Sequence, residues 1–393
     1  MNEENVDVKV SAPEEESEEG ENLEFNCYGF YSGEQFRVDT ERIPNELLRS
    51  REIKWKDMLE NWPKFAKNHK RKKERCQKGI PDSFRSEAWQ RLAQSRVTSI
   101  TNFILQAELT SLPNLLDHQF PLDPIIKSKS TLVPNDLNSV INDDPIHLYS
   151  YYKAQTPDEQ NIIQIEKDID RQFPFHEMFA KKERLGQSLL RDLLIAYTVR
   201  NPNDGYCQGQ APIAAVLLMY MPEVHAFWTF VQICEKYLPK YYVDDLEILL
   251  IDGEILYGLL NAIYKPVYKH LIKLEISPSL IMIDWFMCIY SRNLPWQCFL
   301  RVMDMFLCEG KIVLYKVGLT LLRRCFGTSQ DRKIYHENDE ALMRLRQYPL
   351  TIADTSKFIE EVIQCPITLP MVAKETLVRS KQFYEKKKMK LKK

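Results

Sequence analysis

Only twelve glycines occur in 393 residues, and they sit among long runs whose apolar side chains recur every three to four positions. Such a chain is built for helices, not for a sheet-rich fold. Leu185, Leu189, Leu190, Leu193, Leu194 and Tyr197 fall on one helical face. Asn201-Pro202 ends that run, because the residue before a proline is pushed out of the helical region. Phe227, Phe230, Val231, Cys234 and Leu238 form a second stripe with the spacing of a core-facing helix. The segments 281–290 and 299–307 are apolar nearly all round and are expected deep in the fold, with Trp285 and Trp296 as core anchors. Residues 44–62 read as a helix that Pro63 ends or kinks. Ser83 is expected to cap the next helix, with Glu87 near the capping-box position. The fold class is all-α.

Composition excludes several classes. With 44% apolar and 27% charged residues, the chain has the make-up of a soluble globular protein. No apolar run approaches the ~18 residues of a membrane span, and the acidic residues 1–20 do not read as a signal peptide. The nine cysteines contain no CxxC pair. Cys234, Cys288, Cys298, Cys308 and Cys325 lie inside apolar helical patterns, which reads as buried free thiols in a reducing, cytoplasmic compartment.

The net charge of −2 hides strong segregation. Residues 1–23 are acidic, hold too little apolar surface to offset ordering entropy, and are expected to be disordered. Residues 24–40 are aromatic enough to pack onto a surface. Residues 64–78 carry eight Lys or Arg against one Glu, and the chain from Glu385 on is nearly all Lys. These basic runs read either as solvated faces or as peripheral contacts with an anionic plasma or endosomal membrane. Neither shows the interleaved aromatics or reading helix that nucleic-acid binding requires.

Two islands carry the chemistry. Residues 165–179 contain Arg171 immediately before Gln172-Phe173-Pro174, and residues 201–210 contain Gln208 in a Gly-flanked turn. Arginine offers a permanent planar cation that reaches phosphoryl oxygens through two parallel hydrogen bonds. Glutamine offers an amide that both donates to a phosphate and accepts from a water. From two loops, such a pair can complete the active site of another protein that holds GTP. His176 lies near the arginine but reads as a packing or partner-contact residue, not a general base. Cys207 has no His or Asp placed to activate it.

Ile165-x-x-Asp168-x-x-Arg171 and Gly205-Tyr206-Cys207-Gln208-Gly209 resemble the two signature motifs of the TBC-domain Rab GTPase-activating proteins. Gly79-Ile80-Pro81 with Arg85 and Trp89 resembles the family's opening motif, and Trp285-Phe286, Leu294-Pro295, Arg301, Asp304 and Glu309-Gly310 its later ones. The finer resemblance is to the subgroup around TBC family member ten. It implies an all-helical TBC domain at 76–345 with an insertion in 97–157. Around it lie an acidic tail (1–23), an extension with a basic helix (24–75), a C-terminal helical segment (346–372) and a basic tail (373–393).

The resemblance also implies that Arg171 and Gln208 are catalytic fingers given in trans to a GTP-bound Rab-family GTPase on a vesicle-trafficking route. The partner would hold GTP and Mg²⁺; the chain would have no cofactor or metal of its own and no stand-alone enzymatic reaction. Asp168 would orient Arg171 through a bidentate pair, and Pro174, Gly205, Tyr206 and Gly209 would support the two loops. Gly205 and Gly209 are expected to supply positive φ or close approach. Gly79, Pro81, Arg85 and Trp89 would be scaffold. Met303-Asp304 departs from the family's usual Trp-Asp. The ending Lys390-Leu391-Lys392-Lys393 does not suit a PDZ groove, so scaffold binding is not carried over. The alternative is a module that docks a Rab or an adaptor without accelerating hydrolysis.

Overall fold

The computed structural model describes residues 25–31, 43–95, 145–180, 185–243 and 245–391. Among them every regular element is helical, and strand-like pairing is confined to the isolated bridges Phe25–Tyr31 and Phe30–His176. The first helices are α1 (Asn45–Glu60), α2 (Trp62–Ala66), α3 (His69–Lys78) and α4 (Asp82–Ala93). Then come α5 (Pro145–Lys153), α6 (Glu159–Ile169), α7 (Leu185–Arg200), α8 (Gln210–Tyr220) and α9 (Glu223–Gln232). The rest are α10 (Glu247–Ile263), α11 (Lys265–Lys273), α12 (Ser279–Met282), α13 (Trp296–Glu309), α14 (Ile312–Phe326), α15 (Ser329–Ile334), α16 (Asn338–Gln347), α17 (Thr355–Gln364) and α18 (Leu369–Leu391). Single π-turns continue α9 (Ile233–Tyr237) and α12 (Ile283–Met287).

Two helices form the centre. Residues 210–218 of α8 are all buried, because α7 and α9 pack on it and its side chains are apolar on every face after Gln210. α13 is buried nearly all round against α3, α4, α14 and α17 and stops at Gly310, whose φ of 77° and ψ of −161° only glycine adopts readily. Trp285 and Trp296 are 1% and 4% exposed, as core anchors should be. α7 ends at Arg200, directly before Asn201-Pro202. Cys234, Cys288, Cys298 and Cys325 are buried and in no disulfide, and Cys308 is half-buried.

Several expectations change. Pro63 does not end the N-terminal helix; α1 stops at Glu60, and Pro63 sits in the first turn of α2, where a missing N–H costs nothing. Within α1, Trp55, Met58 and Leu59 are buried and Ile53 is exposed, since two residues along a helix is the opposite face. Ser83 does not cap α4, which starts one residue earlier after Pro81; Glu87 accepts from Arg91 Nε at 3.0 Å instead.

The divisions read at 75/76, 345/346 and 372/373 fall inside α3, α16 and α18. The basic stretch from 373 continues helix α18, which lacks Gly and packs along α10. Pro145 opens α5, whose Tyr149 is buried against Phe227 at 4.8 Å, so the end of the 97–157 stretch joins the core. The acidic tail, residues 24 and 32–40 of the aromatic stretch, and residues 97–144 of the insertion lie outside the described residues.

Candidate functional site

α6 starts under Asp158, whose carboxylate accepts from Gln160 N at 2.8 Å, and it presents Asn161, Ile165 and Asp168 along one face. Asp168, at 4% exposure, is the hub. Its Oδ1 pairs with the Arg171 guanidinium, and its Oδ2 accepts from the Tyr206 hydroxyl at 2.7 Å. The expected bidentate pair is therefore not made: the second oxygen is taken by the other loop. One buried carboxylate ties the arginine loop to the glutamine turn. Gln172, also buried, donates from Nε2 to Asp168 O at 2.8 Å and closes the loop's base.

Beyond Arg171 the chain turns sharply. Phe173 adopts φ 45°, and His176 N donates to Phe173 O at 2.9 Å, closing a turn with Pro174 at its second position. Proline's fixed φ suits that position. His176 is 3% exposed. Its Nε2 lies 3.0 Å from Tyr28 O, and its Nδ1 accepts from Met178 N at 3.2 Å, which places the ring proton on Nε2. Burial pushes its pKa down to about 4, against a smaller upward pull from the Tyr28 carbonyl. It is a packing residue with both nitrogens occupied.

The glutamine turn is built on α6. Gly205 has φ 64°, and a Cβ there would lie 3.0 Å from Asn161 Oδ1, the atom that accepts from Tyr206 N at 2.8 Å. Burial, reinforced by Asp168, holds the Tyr206 phenol well above its usual pKa, so it remains a donor. Gly209 has an ordinary φ of −66°; its need is closeness, since a Cβ would come 2.3 Å from Met287 Cγ and Sδ. Met287 closes the second π-turn, and its carbonyl accepts from Tyr242 OH at 3.0 Å. Gln210 is fully buried and accepts from Cys207 N at 3.0 Å. Between these anchors Gln208 is exposed, as is Arg171.

Gly79, Pro81, Arg85 and Trp89 form a separate junction around Asp304 of α13. Asp304 accepts from Ile80 N at 2.8 Å, Trp89 Nε1 at 2.8 Å and Arg85 Nε at 3.3 Å. Burial opposes the Arg85 charge, but Asp304 and Asp82 more than offset it. Pro81 is the N-cap residue of α4, and Gly79 has φ 90° in a space where a Cβ would lie 2.7 Å from Arg301 Cδ. Among the described residues no cluster of His, Cys, Asp and Glu could hold a metal ion, and no helix is long and apolar enough to cross a membrane.

The Rab-GTPase-TBC domain family matches residues 82–328, well over half of the chain. The chain belongs to that family. It is 41% identical over 360 residues to mouse TBC1 domain family member 10A, covering 91% of this chain and 63% of that protein. It is 38% identical to human TBC1 domain family member 10B over 91% of this chain and 39% of that protein. The Drosophila TBC1 domain family member whacked is 38% identical over 81% of this chain and 76% of its own length. The chain thus spans less than two thirds of the two member-ten relatives.

Among solved structures, the Chlamydomonas flagellar RabGAP TBC domain superposes with a TM-score of 0.56 at 20% identity, covering 86% of this chain and 99% of that one. The Ypt/Rab-GAP domain of Gyp1p gives 0.55 at 15% identity, covering 85% and 98%. At these identities the likeness is one of fold.

In this TBC domain the motif residues Asp168, Arg171 and Tyr206 come together, with the exposed Gln208 two residues after Tyr206, while the Gly79–Trp89 motif bonds to Asp304 instead. Sequence reading missed Asn161, Gln172, Gln210 and Met287, which hold the two loops. Asn161 was discoverable, because it shares a helical face with Ile165 and Asp168; Met287 carries no local signal.

Proposed function

We propose that this chain stimulates GTP hydrolysis by a Rab-family small GTPase, presenting Arg171 and Gln208 to the nucleotide held by its partner, and so acts on vesicle traffic. One observation carries the reading: the Asp168 carboxylate binds both loops from below, so that two exposed polar tips sit on one buried support. Hydrolysis needs charge neutralised on the transferring phosphoryl group and a water held in line with it. Arg171 meets the developing charge, and Gln208 orients the water. The partner contributes GTP and Mg²⁺.

Magnitudes favour this use of Arg171. Its side chain is 44% exposed, so solvent screening leaves its contact with Asp168 about 1 kcal/mol. A donated arginine accelerates GTP hydrolysis by about 10³–10⁵, or ~4–7 kcal/mol. Reaching a phosphate while leaning on Asp168 is therefore strongly favourable. The test is single-turnover phosphate release from a panel of purified GTP-loaded Rabs. At least one is expected to be accelerated by ~10³ or more. GTP-dependent binding with no acceleration of any Rab would overturn the activator reading in favour of a docking module.

A further inference from the structure

The segment Phe25–Tyr31 lies well before residue 82, where the family match begins, yet it packs directly behind the arginine loop. It is a small self-folded turn. Asn26 N donates to Phe30 O at 2.8 Å and Gly29 N to Asn26 O at 3.0 Å, while Asn26 Oδ1 accepts from Tyr28 N and Phe30 N at 2.9 and 3.1 Å. This turn pairs with the loop along its backbone: Tyr31 N donates to Phe175 O at 2.9 Å, and Glu177 N to Gly29 O at 2.8 Å. His176 adds a third link from its ring to Tyr28 O at 3.0 Å.

The side chains complete the clasp. Phe30 is fully buried, with its ring centroid 4.8 Å from both His176 and Trp296 and 6.2 Å from Phe173, each edge-on. Trp296 opens α13, the central helix, and packs edge-on against Phe173 at 5.7 Å. The loop is thus pressed between the turn and the core. Gly29 permits this approach: its φ is 81°, and a Cβ would lie 2.8 Å from Glu177 Oε1 and 2.9 Å from His176 Nε2.

The consequence falls on Phe173, two residues after Arg171. Its φ of 45° is a backbone state that a bulky L-residue adopts only when its surroundings hold it there. Phe30 and Trp296 are those surroundings. Without Phe30, the Phe173 backbone is free to relax, and the guanidinium two residues upstream moves with it. A misplacement of about 1 Å at a reacting centre costs on the order of 10²-fold in rate.

We infer that residues 25–31 form a strap that holds the arginine loop in its working conformation, with Phe30 and His176 as positioning residues for Arg171. The inference rests on the reading of Arg171 as the donated arginine, and its test separates the two. The full chain is compared as wild type, Phe30→Ala and Phe30→Leu, with Ile359→Ala, at a buried position of α17, as a control for general loss of stability.

Amide hydrogen exchange is read first, because it needs no partner. In Phe30→Ala, exchange across residues 171–179 is expected to rise on the order of tenfold or more while residues 185–220 keep their protection; Phe30→Leu falls between, and Ile359→Ala leaves 171–179 as in wild type. With a Rab that the wild type accelerates, Phe30→Ala is expected to lower kcat on the order of tenfold or more with KM within about threefold, a split that general unfolding does not produce. Unchanged exchange in 171–179, or a loosened loop with an unchanged kcat, overturns the strap. If the wild type accelerates no Rab, the donated-arginine reading fails, and the exchange comparison still decides whether the strap holds the loop.

Discussion

Deleting one oxygen, with Tyr206→Phe, isolates the link between the two loops. The ring stays in place, so the cavity left is no larger than a hydroxyl. What is lost is a 2.7 Å hydrogen bond to a carboxylate at 4% exposure. Hydrogen bonds to charged groups contribute about 1.5–3 kcal/mol net. If that energy orients Arg171 and the glutamine turn in the transition state, it corresponds to ~10–150-fold in kcat/KM. Asp168 keeps its Arg171 contact and the variant should fold. The assay is stopped-flow phosphate release under single-turnover conditions, beside thermal unfolding.

The decisive form is a double-mutant cycle with Asp168→Asn. The double variant is expected to lose less than the sum of the singles by ~1.5 kcal/mol or more, because either substitution alone already removes the hydrogen bond from Tyr206 to a charged acceptor. Losses that add to within ~0.5 kcal/mol, or a Tyr206→Phe protein with wild-type rate, would refute the reasoning.

Two further outcomes follow from buried groups. His176 is held neutral, its pKa lowered by burial to about 4 from an ordinary 6.5. The unfolded chain takes up the proton first, so stability falls as pH drops below about 6.5 and the contribution is gone below about 4; between pH 7 and 5 the loss is ~2 kcal/mol. Urea unfolding should show the gap between wild type and His176→Gln shrink by about that amount over this interval, and a constant gap would contradict the assignment. Among the described residues, Asp304→Ala leaves the buried Arg85 with the more exposed Asp82 as its one carboxylate partner, beside the Tyr220 ring, and should destabilise the chain by ~3–5 kcal/mol in denaturant titration; a loss under ~1 kcal/mol would mean that the junction tolerates the charge.

Much of this was legible in the sequence, for physical reasons. The Leu185–Tyr197 stripe and Asn201-Pro202 located α7 and its end because periodicity and proline sterics act locally, although Leu185, the first residue of the helix, is exposed and not part of the buried face. The two loops were found through short motifs whose residues are near neighbours in sequence. What local rules could not reach is where a group with several potential partners directs its bonds. Asp168 was read as gripping Arg171 with both oxygens, but Tyr206, 38 residues on, claims one of them. Gly209 was read as supplying positive φ or close approach; its φ is ordinary, and the group it approaches, Met287, comes from a distant turn that no local pattern names. Ser83 looked like a cap because capping patterns ignore the proline that starts α4 earlier. The aromatic stretch 24–40 was read as a packing segment; its described part, residues 25–31, packs on the arginine loop, a surface that nothing in the stretch named.

The central claim is that Arg171 and Gln208 act together on one phosphate from a shared support. It is tested most directly by single-turnover hydrolysis of a responsive Rab with wild type, Arg171→Ala, Gln208→Ala and the double variant, each shown by circular dichroism to be folded. Each single change should remove most of the stimulation, ~10²-fold or more, and the double should lose little beyond the worse single, as residues that work as a unit do. An Arg171→Ala protein that accelerates hydrolysis as the wild type does would contradict the account.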